Sequence, residues 1–154
     1  MAMNPIYVLN GPNLNLLGHR QPQLYGSATL GDIETRLGVR AAALGLAIDF
    51  RQSNHEGELI DSIHQARQRA SGIIINAAGL THTSVALLDA LLAADLTVIE
   101  VHLTNIYRRE AFRHHSYVSQ AATGIICGLG AKGYELALDA LAEHLQSDVE
   151  KLDV

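Results

Sequence analysis

Five short hydrophobic runs recur along the chain, and each is nearly continuous rather than alternating with polar positions. Strands that are covered on both faces have this pattern, because neither face of such a strand meets water. The runs are also rich in β-branched residues, which favour extended backbone. We therefore predict five buried strands, over residues 6–9, 46–50, 72–75, 97–101 and 123–127.

The segments between these runs have apolar residues three or four positions apart, which is the spacing of one helix face. Thr29 and Ser53 each precede an early acidic residue, as the capping residue of a helix often does. The predicted helix faces are Leu30, Ile33, Leu37, Ala41 and Leu44; Leu59, Ile63, Ala66 and Ala70; Val85, Leu88, Leu91 and Leu92; and Leu136, Leu138, Leu141 and Leu145.

Strands that alternate with helices predict a parallel sheet joined by right-handed crossovers. Five such strands favour an α/β fold of the flavodoxin-like type, a doubly wound three-layer sandwich. No linker or repeat interrupts the pattern, so we predict a single catalytic domain over residues 1–154, with a frayed tail over 146–154.

Composition is that of an ordinary globular domain, with 48% hydrophobic and 18% charged residues. The net charge of −5 gives no basic footprint for nucleic acid, and no apolar run reaches the length of a membrane span. Cys127 is the single cysteine and lies in an apolar run, which predicts a buried, reduced thiol. We expect a cytoplasmic protein that binds neither nucleic acid nor membrane.

Polar residues follow most of the predicted strands, beginning with Asn10, Ser53, Asn76 and His102. Ligands of open α/β sheets bind at the carboxyl ends of the strands, so these side chains mark a candidate site. Polar strand ends also serve simply to cap helices. The abundance of Asn and His over Ser and Asp favours a site.

Two other motifs carry less weight. Residues 128–133, GLGAKG, match the glycine pattern of a dinucleotide site, but they follow the last strand, and no later strand is left to hold a ribose. A tight turn is the preferred interpretation, and a flavodoxin-like nucleotide-binding module that uses Gly128 and Gly133 is the alternative. The eight histidines lack the spacing of zinc ligands, so we expect no metal.

Glu100 and His102 lie two residues apart on a predicted strand, so their side chains share a face. A carboxylate beside a histidine orients the ring and favours its protonated form, which prepares it to act as a general acid. The alternative is a buried ion pair of purely structural value.

Arg20 and Tyr25 lie in a loop that also contains Gly18, Pro22 and Gly26. A free tyrosine has a pKa of about 10, so ionising it at pH 7 costs about 4 kcal/mol. A nearby guanidinium in a pocket poor in water offsets part of that cost. The loop is therefore a candidate lid that carries a base. The alternative is an exposed arginine and a packing tyrosine on a flexible loop.

Taken together, these segments resemble the type II 3-dehydroquinate dehydratases, also called type II dehydroquinases. The likeness extends from about Pro5 to Leu145, and several of its motifs are long and unusual. The matching stretches are LNGPNLNLLG at 9–18, LYG at 24–26, FRQSNHEGEL at 50–59, Asn76, THTSVA at 81–86, EVHL at 100–103 and FRHHSYVS at 112–119.

The resemblance implies a cofactor-free anti elimination of water from 3-dehydroquinate, which gives 3-dehydroshikimate through an enolate. The reaction belongs to the shikimate pathway or to quinate catabolism. By position, Tyr25 is the base that removes the proton next to the ketone. Arg20 matches the lid arginine that favours the tyrosinate, and Arg109 matches a second arginine near it.

The remaining catalytic positions follow from the same resemblance. Asn13 holds the water that stabilises the enolate oxygen. His102 protonates the departing hydroxyl group, and Glu100 orients its ring.

The resemblance also implies the binding positions and the assembly. Asp89 matches an acid that reaches the site of a neighbouring subunit, and the family assembles as a homododecamer, a tetramer of trimers. Thr104 stands where Ser is usual, which keeps the hydroxyl and adds a methyl. The substrate-binding positions are Asn76, His82, Asp89, Leu103, Thr104 and Arg113.

Overall fold

The computed structural model describes residues 2–152, and these form a five-stranded parallel sheet between two layers of helices. The strand order is β2-β1-β3-β4-β5, and each adjacent pair is parallel. This order is that of flavodoxin-like folds, so the predicted architecture is confirmed. The strands are β1 Ile6–Asn10, β2 Ile48–Gln52, β3 Gly72–Asn76, β4 Val98–His102 and β5 Gly124–Cys127.

Three longer helices and one short helix connect the strands, and a fourth longer helix follows β5. Helices α2 and α5 cover one face of the sheet, and α3 and α4 cover the other. Short 3-10 turns complete the connections near the carboxyl ends of the strands. The helices are α1 Pro22–Tyr25, α2 Leu30–Ala43, α3 Glu56–Arg69, α4 Val85–Ala94 and α5 Lys132–Leu152; the turns are Leu14–Leu16, Ala78–His82, Ile106–Arg108, Ala111–Arg113 and Val118–Gln120.

Two hydrophobic cores flank the sheet, and successive strand residues enter them alternately. In β1, Ile6 and Val8 pack with α2 and α5, whereas Tyr7 and Leu9 pack with α3 and α4. Every residue of β1, β3 and β4 is buried, which explains why their sequences are continuously hydrophobic.

The two edge strands depart from the predictions. β2 begins at Ile48 rather than at residue 46 and includes Asp49 and Arg51, whose side chains pair at 2.9 Å. An edge strand tolerates such charges because one side of it is open to water. Cys127 in β5 is only partly buried for the same reason, so the prediction of a buried thiol was wrong.

The two predicted helix starts had different outcomes. Thr29 caps α2: it accepts a hydrogen bond from the Asp32 N–H at 3.1 Å, and its own N–H donates to the Asp32 carboxylate at 2.9 Å. The prediction for Ser53 was wrong, because α3 begins at Glu56, after His55. The Ser53 hydroxyl instead donates to the Glu58 carboxylate, inside the helix.

The chain end also differs from the prediction of a frayed tail. Residues 146–152 continue α5, in which the Asp148 carboxylate lies 3.6 Å from the His144 ring and 3.8 Å from the Lys151 amine, each about one turn away. Residues 153 and 154 lie outside the described residues. None of the helices described here is both long and apolar enough to cross a bilayer.

Gly11 allows the chain after β1 to lie directly against the chain after β3. Its N–H donates to the Asn76 carbonyl at 2.8 Å. A Cβ atom at Gly11 would lie 2.4 Å from the Ala77 carbonyl oxygen, a distance at which the backbone must move. A side chain at this position therefore separates the ends of two strands that carry polar residues.

We predict that Gly11→Ala lowers the free energy of unfolding by about 1–3 kcal/mol, because overpacking forces the two backbones apart. The matched control is Gly57→Ala in α3, where nothing lies within 4 Å of the added methyl and alanine is the better helix former. Urea unfolding of both variants measures the difference. Equal midpoints would show that the close approach at Gly11 is not a constraint.

Candidate active site

A pocket opens at the carboxyl ends of β1, β3 and β4, where the sequence predicted it. It draws on the loop after β1, the short helix α1, the turn after β3 and the segment after β4. The lining residues are Pro12, Asn13, Leu14, Leu17, Arg20, Tyr25, Asn76, Ala78, Gly79, His82, His102, Leu103, Thr104, Ile106, Arg109 and Arg113.

The loop after β1 is held in place from the end of β2. Asn13 has a left-handed backbone with φ of 69°, which asparagine tolerates better than most residues. Its N–H donates to the Asn54 side-chain oxygen at 2.9 Å, and Gln52 donates to both the Gly11 carbonyl and Asn54, at 3.2 and 3.1 Å. These bonds fix the position of Asn13 at the mouth of the pocket.

A fully buried tyrosine joins the ends of β1 and β3. The Tyr134 hydroxyl donates to Asn10 at 2.7 Å and accepts from the Asn76 amide at 3.0 Å. Burial raises the pKa of Tyr134, which keeps the hydroxyl neutral and able to donate. The Ala78 N–H donates to the Asn76 side-chain oxygen at 3.2 Å. The Asn76 amide nitrogen has two hydrogens and uses one for Tyr134, so the second is left for the pocket.

Two arginines approach the ring of Tyr25. The Arg20 guanidinium carbon lies 5.9 Å from the ring centroid, and that of Arg109 lies 5.3 Å from it. Arg20 and Tyr25 belong to the segment between Gly18 and Gly26, both with φ of +86°, whereas Arg109 lies after β4. Positive groups from two separate parts of the chain therefore lie beside the Tyr25 ring. A tyrosine that acts as a base needs positive charge nearby, because ionising a phenol at neutral pH is costly.

Glu100 and His102 form the predicted pair. The His102 Nε2 lies 2.5 Å from a Glu100 carboxylate oxygen. Both residues are buried, with exposed fractions of 5% for His102 and 0% for Glu100. Burial raises the pKa of the Glu100 carboxyl, but hydrogen bonds from His102, Ser119 and Ser116 outweigh it, and the pKa lies below its ordinary value. Glu100 is therefore ionised at neutral pH and holds Nε2 as a donor, which leaves Nδ1 of His102 for the pocket.

His82 lines the same pocket as His102. Burial lowers the pKa of its ring, and the nearby charges of His102 and Arg113 lower it further. The neutral ring donates from Nδ1 to the His115 carbonyl at 2.7 Å, since a carbonyl only accepts. Its Nε2 is then an acceptor, suited to a substrate hydroxyl group.

The segment after β4 supplies the remaining cations. Arg113 donates to the Glu110 carboxylate at 2.7 Å, and Arg109 lies 3.9 Å from the same group. Arg109 also reaches the Thr104 hydroxyl at 3.5 Å. Glu110 orients both arginines. Because Glu110 is exposed to water, its negative charge offsets their positive charge only weakly. The pocket therefore keeps a positive wall suited to a carboxylate ligand.

Comparison with known proteins identifies the family. The model of the family described as "Dehydroquinase class II" matches residues 4–142. The chain belongs to this family. It is 60% identical over 142 residues to the 3-dehydroquinate dehydratase 2 of Pseudomonas aeruginosa, covering 92% of this chain and 96% of that one. It is 58% identical over 152 residues to the 3-dehydroquinate dehydratase of Streptomyces avermitilis, covering 96% of each.

Solved structures of class II dehydroquinases have the same fold. The type II dehydroquinase from Propionibacterium acnes is 47% identical and aligns with a TM-score of 0.88, over 93% of this chain and 99% of that one. The type II dehydroquinase from Butyrivibrio crossotus is 38% identical and aligns with a TM-score of 0.89, over 92% and 99%.

Most side chains predicted for a dehydroquinase site lie in one pocket of this structure. Glu100 does not line it but lies behind His102. Asp89 is exposed on α4 and does not line the pocket of its own chain. The predicted residues that line it are Asn13, Arg20, Tyr25, Asn76, His82, His102, Leu103, Thr104, Arg109 and Arg113.

Sequence reasoning missed the residues that support the site. Tyr134 lies 124 positions from Asn10, and no local pattern links them. Ser116 and Ser119 were visible only as part of the matching stretch at 112–119. The apolar lining of Leu14, Leu17 and Ile106 was also missed, because such residues read as ordinary core.

Backbone conformation and close packing explain why glycines occur in residues 128–133. Gly128 has φ of +89°, and a Cβ there would lie 3.1 Å from the side chain of Asn105. Gly130 has φ of +60°, and Gly133 packs closely on β4 and β5. These features favour the tight-turn interpretation of the motif. Across residues 2–152, no three His, Cys, Asp or Glu side chains cluster as metal ligands do.

Proposed function

We propose that this chain catalyses the anti dehydration of 3-dehydroquinate to 3-dehydroshikimate without a cofactor. The reaction serves the shikimate pathway or quinate catabolism. Membership of the class II dehydroquinase family supports the reaction. The observation that carries the residue roles is a single pocket with a phenol beside two guanidinium groups and an imidazole backed by a buried carboxylate.

Tyr25 is the base in this proposal. The proton next to a ketone is only weakly acidic, so its removal needs a base of matched strength and a stabilised enolate. The guanidinium carbons of Arg20 and Arg109 lie within 6 Å of the centroid of the Tyr25 ring, so two positive groups stand beside the proposed base. Asn13, whose N–H bonds to Asn54, holds a water molecule against the enolate oxygen in this proposal.

His102 is the acid. A hydroxide ion is a poor leaving group, so the departing hydroxyl must receive a proton as its bond to carbon breaks. His102, Glu100 and Val98 are at alternate positions of β4, so their side chains point to the same face of the sheet. Val98 packs with α3 and α4, which gives the face of the acid, whereas Tyr25 packs on the α2 and α5 side. A base and an acid on opposite sides of the substrate suit an anti elimination.

The other lining residues bind the substrate. Arg113 and the backbone amides of Leu103 and Thr104 receive the carboxylate. Asn76 offers its free N–H and His82 its Nε2 lone pair to the ring hydroxyl groups. Compared with the serine usual at this position, Thr104 has an additional methyl group, which narrows the part of the pocket that receives the substrate carboxylate.

The test of the reaction is an absorbance assay for the conjugated enone product, with purified protein and 3-dehydroquinate, in the presence and absence of a chelator. We expect turnover under both conditions. No product would contradict the function, and loss of activity with the chelator would contradict the claim that no metal takes part.

We predict that Tyr25→Phe lowers kcat by about 100-fold or more, because the variant keeps the ring and loses the base. The matched control is Tyr107→Phe, in which the same hydroxyl is removed from a side chain that is 60% exposed and absent from the pocket lining. It is expected to keep the parental rate. Turnover by the Tyr25 variant within tenfold of the parent would mean that another group is the base.

We further propose a cytoplasmic homododecamer, a tetramer of trimers, in which Asp89 reaches the site of a neighbouring subunit. Asp89 is exposed on α4, and the exposed Val85 and Leu92 lie on the same helix. The family resemblance gives the number of subunits, and the single cysteine agrees with a reducing compartment.

Size-exclusion chromatography with light scattering measures the assembly, and we expect the mass of twelve chains. A mass of three chains or fewer at micromolar concentration would contradict the dodecamer. Asp89→Asn is expected to raise KM while the mass stays the same, because the changed side chain belongs to a neighbour's site rather than to its own.

A further inference from the structure

Two serines of the segment after β4 bond to the Glu100 carboxylate. The Ser116 hydroxyl lies 3.1 and 2.9 Å from the two carboxylate oxygens, and the Ser119 hydroxyl lies 2.6 Å from one of them. The Ser119 N–H donates to the Ser116 hydroxyl oxygen at 3.0 Å. That oxygen already accepts a bond, so the Ser116 hydrogen is free to point at Glu100, since an ionised carboxylate only accepts.

Glu100 needs these donors because it has no contact with water. Its exposed fraction is 0%, and a buried carboxyl group without partners takes up a proton and becomes neutral. His102 donates to one oxygen, and the two serine hydroxyls supply the other donors. Hydrogen bonds to a charged acceptor are stronger than those between neutral groups, so these donors favour the ionised carboxylate in a dry site.

The pair can hold one proton in two ways. In one, His102 is an imidazolium and Glu100 a carboxylate. In the other, His102 is neutral and Glu100 is a carboxylic acid. The serine hydroxyls stabilise the first arrangement, because their hydrogen bonds are stronger with a charged acceptor. Nδ1 of His102 carries a hydrogen in both arrangements, but an imidazolium is a far stronger acid than a neutral ring, so the first arrangement is the one suited to protonating a leaving hydroxyl group.

We propose that Ser116 and Ser119 are positioning residues for the dehydration, which keep the shared proton on His102 by holding Glu100 as a carboxylate. The catalytic part of this inference rests on the proposed function. The part that concerns the location of the proton rests only on the contacts among the four side chains.

The other charges around the pair make this arrangement necessary. The His82 ring stacks on His102 with centroids 6.5 Å apart. Arg109 and Arg113 after β4, and Arg20 with Tyr25 on the lid, line the same pocket. The three arginines are positive and oppose a further cation in the pocket, and the negative charge of Glu100 offsets this opposition in the arrangement with an imidazolium.

Contacts with the turn after β3 hold the two serines in place. The His115 carbonyl bonds to His82 at 2.7 Å, and the Tyr117 N–H donates to the Thr81 carbonyl at 2.9 Å. Both contacts join the serine segment to the turn after β3. The position of the proton donor is therefore tied to the same part of the chain that binds the substrate hydroxyl groups.

The test is the Ser116→Ala/Ser119→Ala double variant, examined by NMR of the His102 ring nitrogens and the Glu100 carboxyl carbon. In the parent near neutral pH we expect an imidazolium beside a carboxylate. In the double variant we expect a neutral ring beside a carboxylic acid. We also expect kcat to fall by about tenfold or more, with KM within about twofold of the parent because Asn76 and Arg113 are untouched.

Three further variants separate this role from a structural one. Ser147→Ala, which removes a hydroxyl bonded only to the Glu143 carbonyl in α5, is expected to change neither spectrum nor rate. Ser119→Thr keeps a hydroxyl and is expected to retain the parental spectrum. In a Glu100→Gln background the serine changes are expected to cost no further kcat, because no carboxylate charge remains to be held.

An imidazolium and a carboxylate in the double variant, with only the melting temperature lowered, would overturn the inference. If the double variant does not fold, Ser119→Ala alone is expected to move the proton part of the way, and an unchanged spectrum in it would overturn the inference equally. A parent enzyme that does not turn over 3-dehydroquinate would contradict the proposed function, while the spectra would still decide the role of the serines.

Discussion

The alignment of three parallel strands fixes where the chemistry can occur. Asn10 pairs with Asn76, and Ile75 pairs with Glu100, so the polar ends of β1, β3 and β4, the three fully buried strands, come together at one end of the sheet. Gly11 lets the first two ends touch, and the Tyr134 hydroxyl joins their amides. A shift of one residue in any of these strands would turn its polar end toward the opposite face.

The site that results is electrically asymmetric. On the α2 and α5 side, the guanidinium groups of Arg20 and Arg109 lie beside the phenol of Tyr25. On the other side, the buried Glu100 carboxylate bonds to the imidazole of His102. The proposed elimination uses both ends, since a proton leaves carbon at one end and another reaches oxygen at the other. In this proposal each reacting side chain has a charged neighbour within the protein.

The sequence predicted best what is local. Glu100 and His102 are two residues apart, and alternation along a strand is enough to pair them. The Thr29 cap was readable for the same reason. Contacts between distant segments were not: Tyr134 reaches Asn10 across 124 positions, and Ser119 reaches Glu100 across 19. Local patterns also failed where a side chain had a better partner, as when Ser53 bonded to Glu58 instead of capping α3.

The proposed reaction requires a base and an acid on opposite faces of one substrate. A crystal structure with a non-eliminating analogue of 3-dehydroquinate, with the lid closed, is the test of this arrangement. We expect the Tyr25 oxygen to lie about 3–3.5 Å from the carbon next to the ketone, with His102 across the ring within about 3 Å of the departing oxygen. A closed complex with Tyr25 and His102 on the same face, or with the Tyr25 oxygen remote from that carbon, would contradict it.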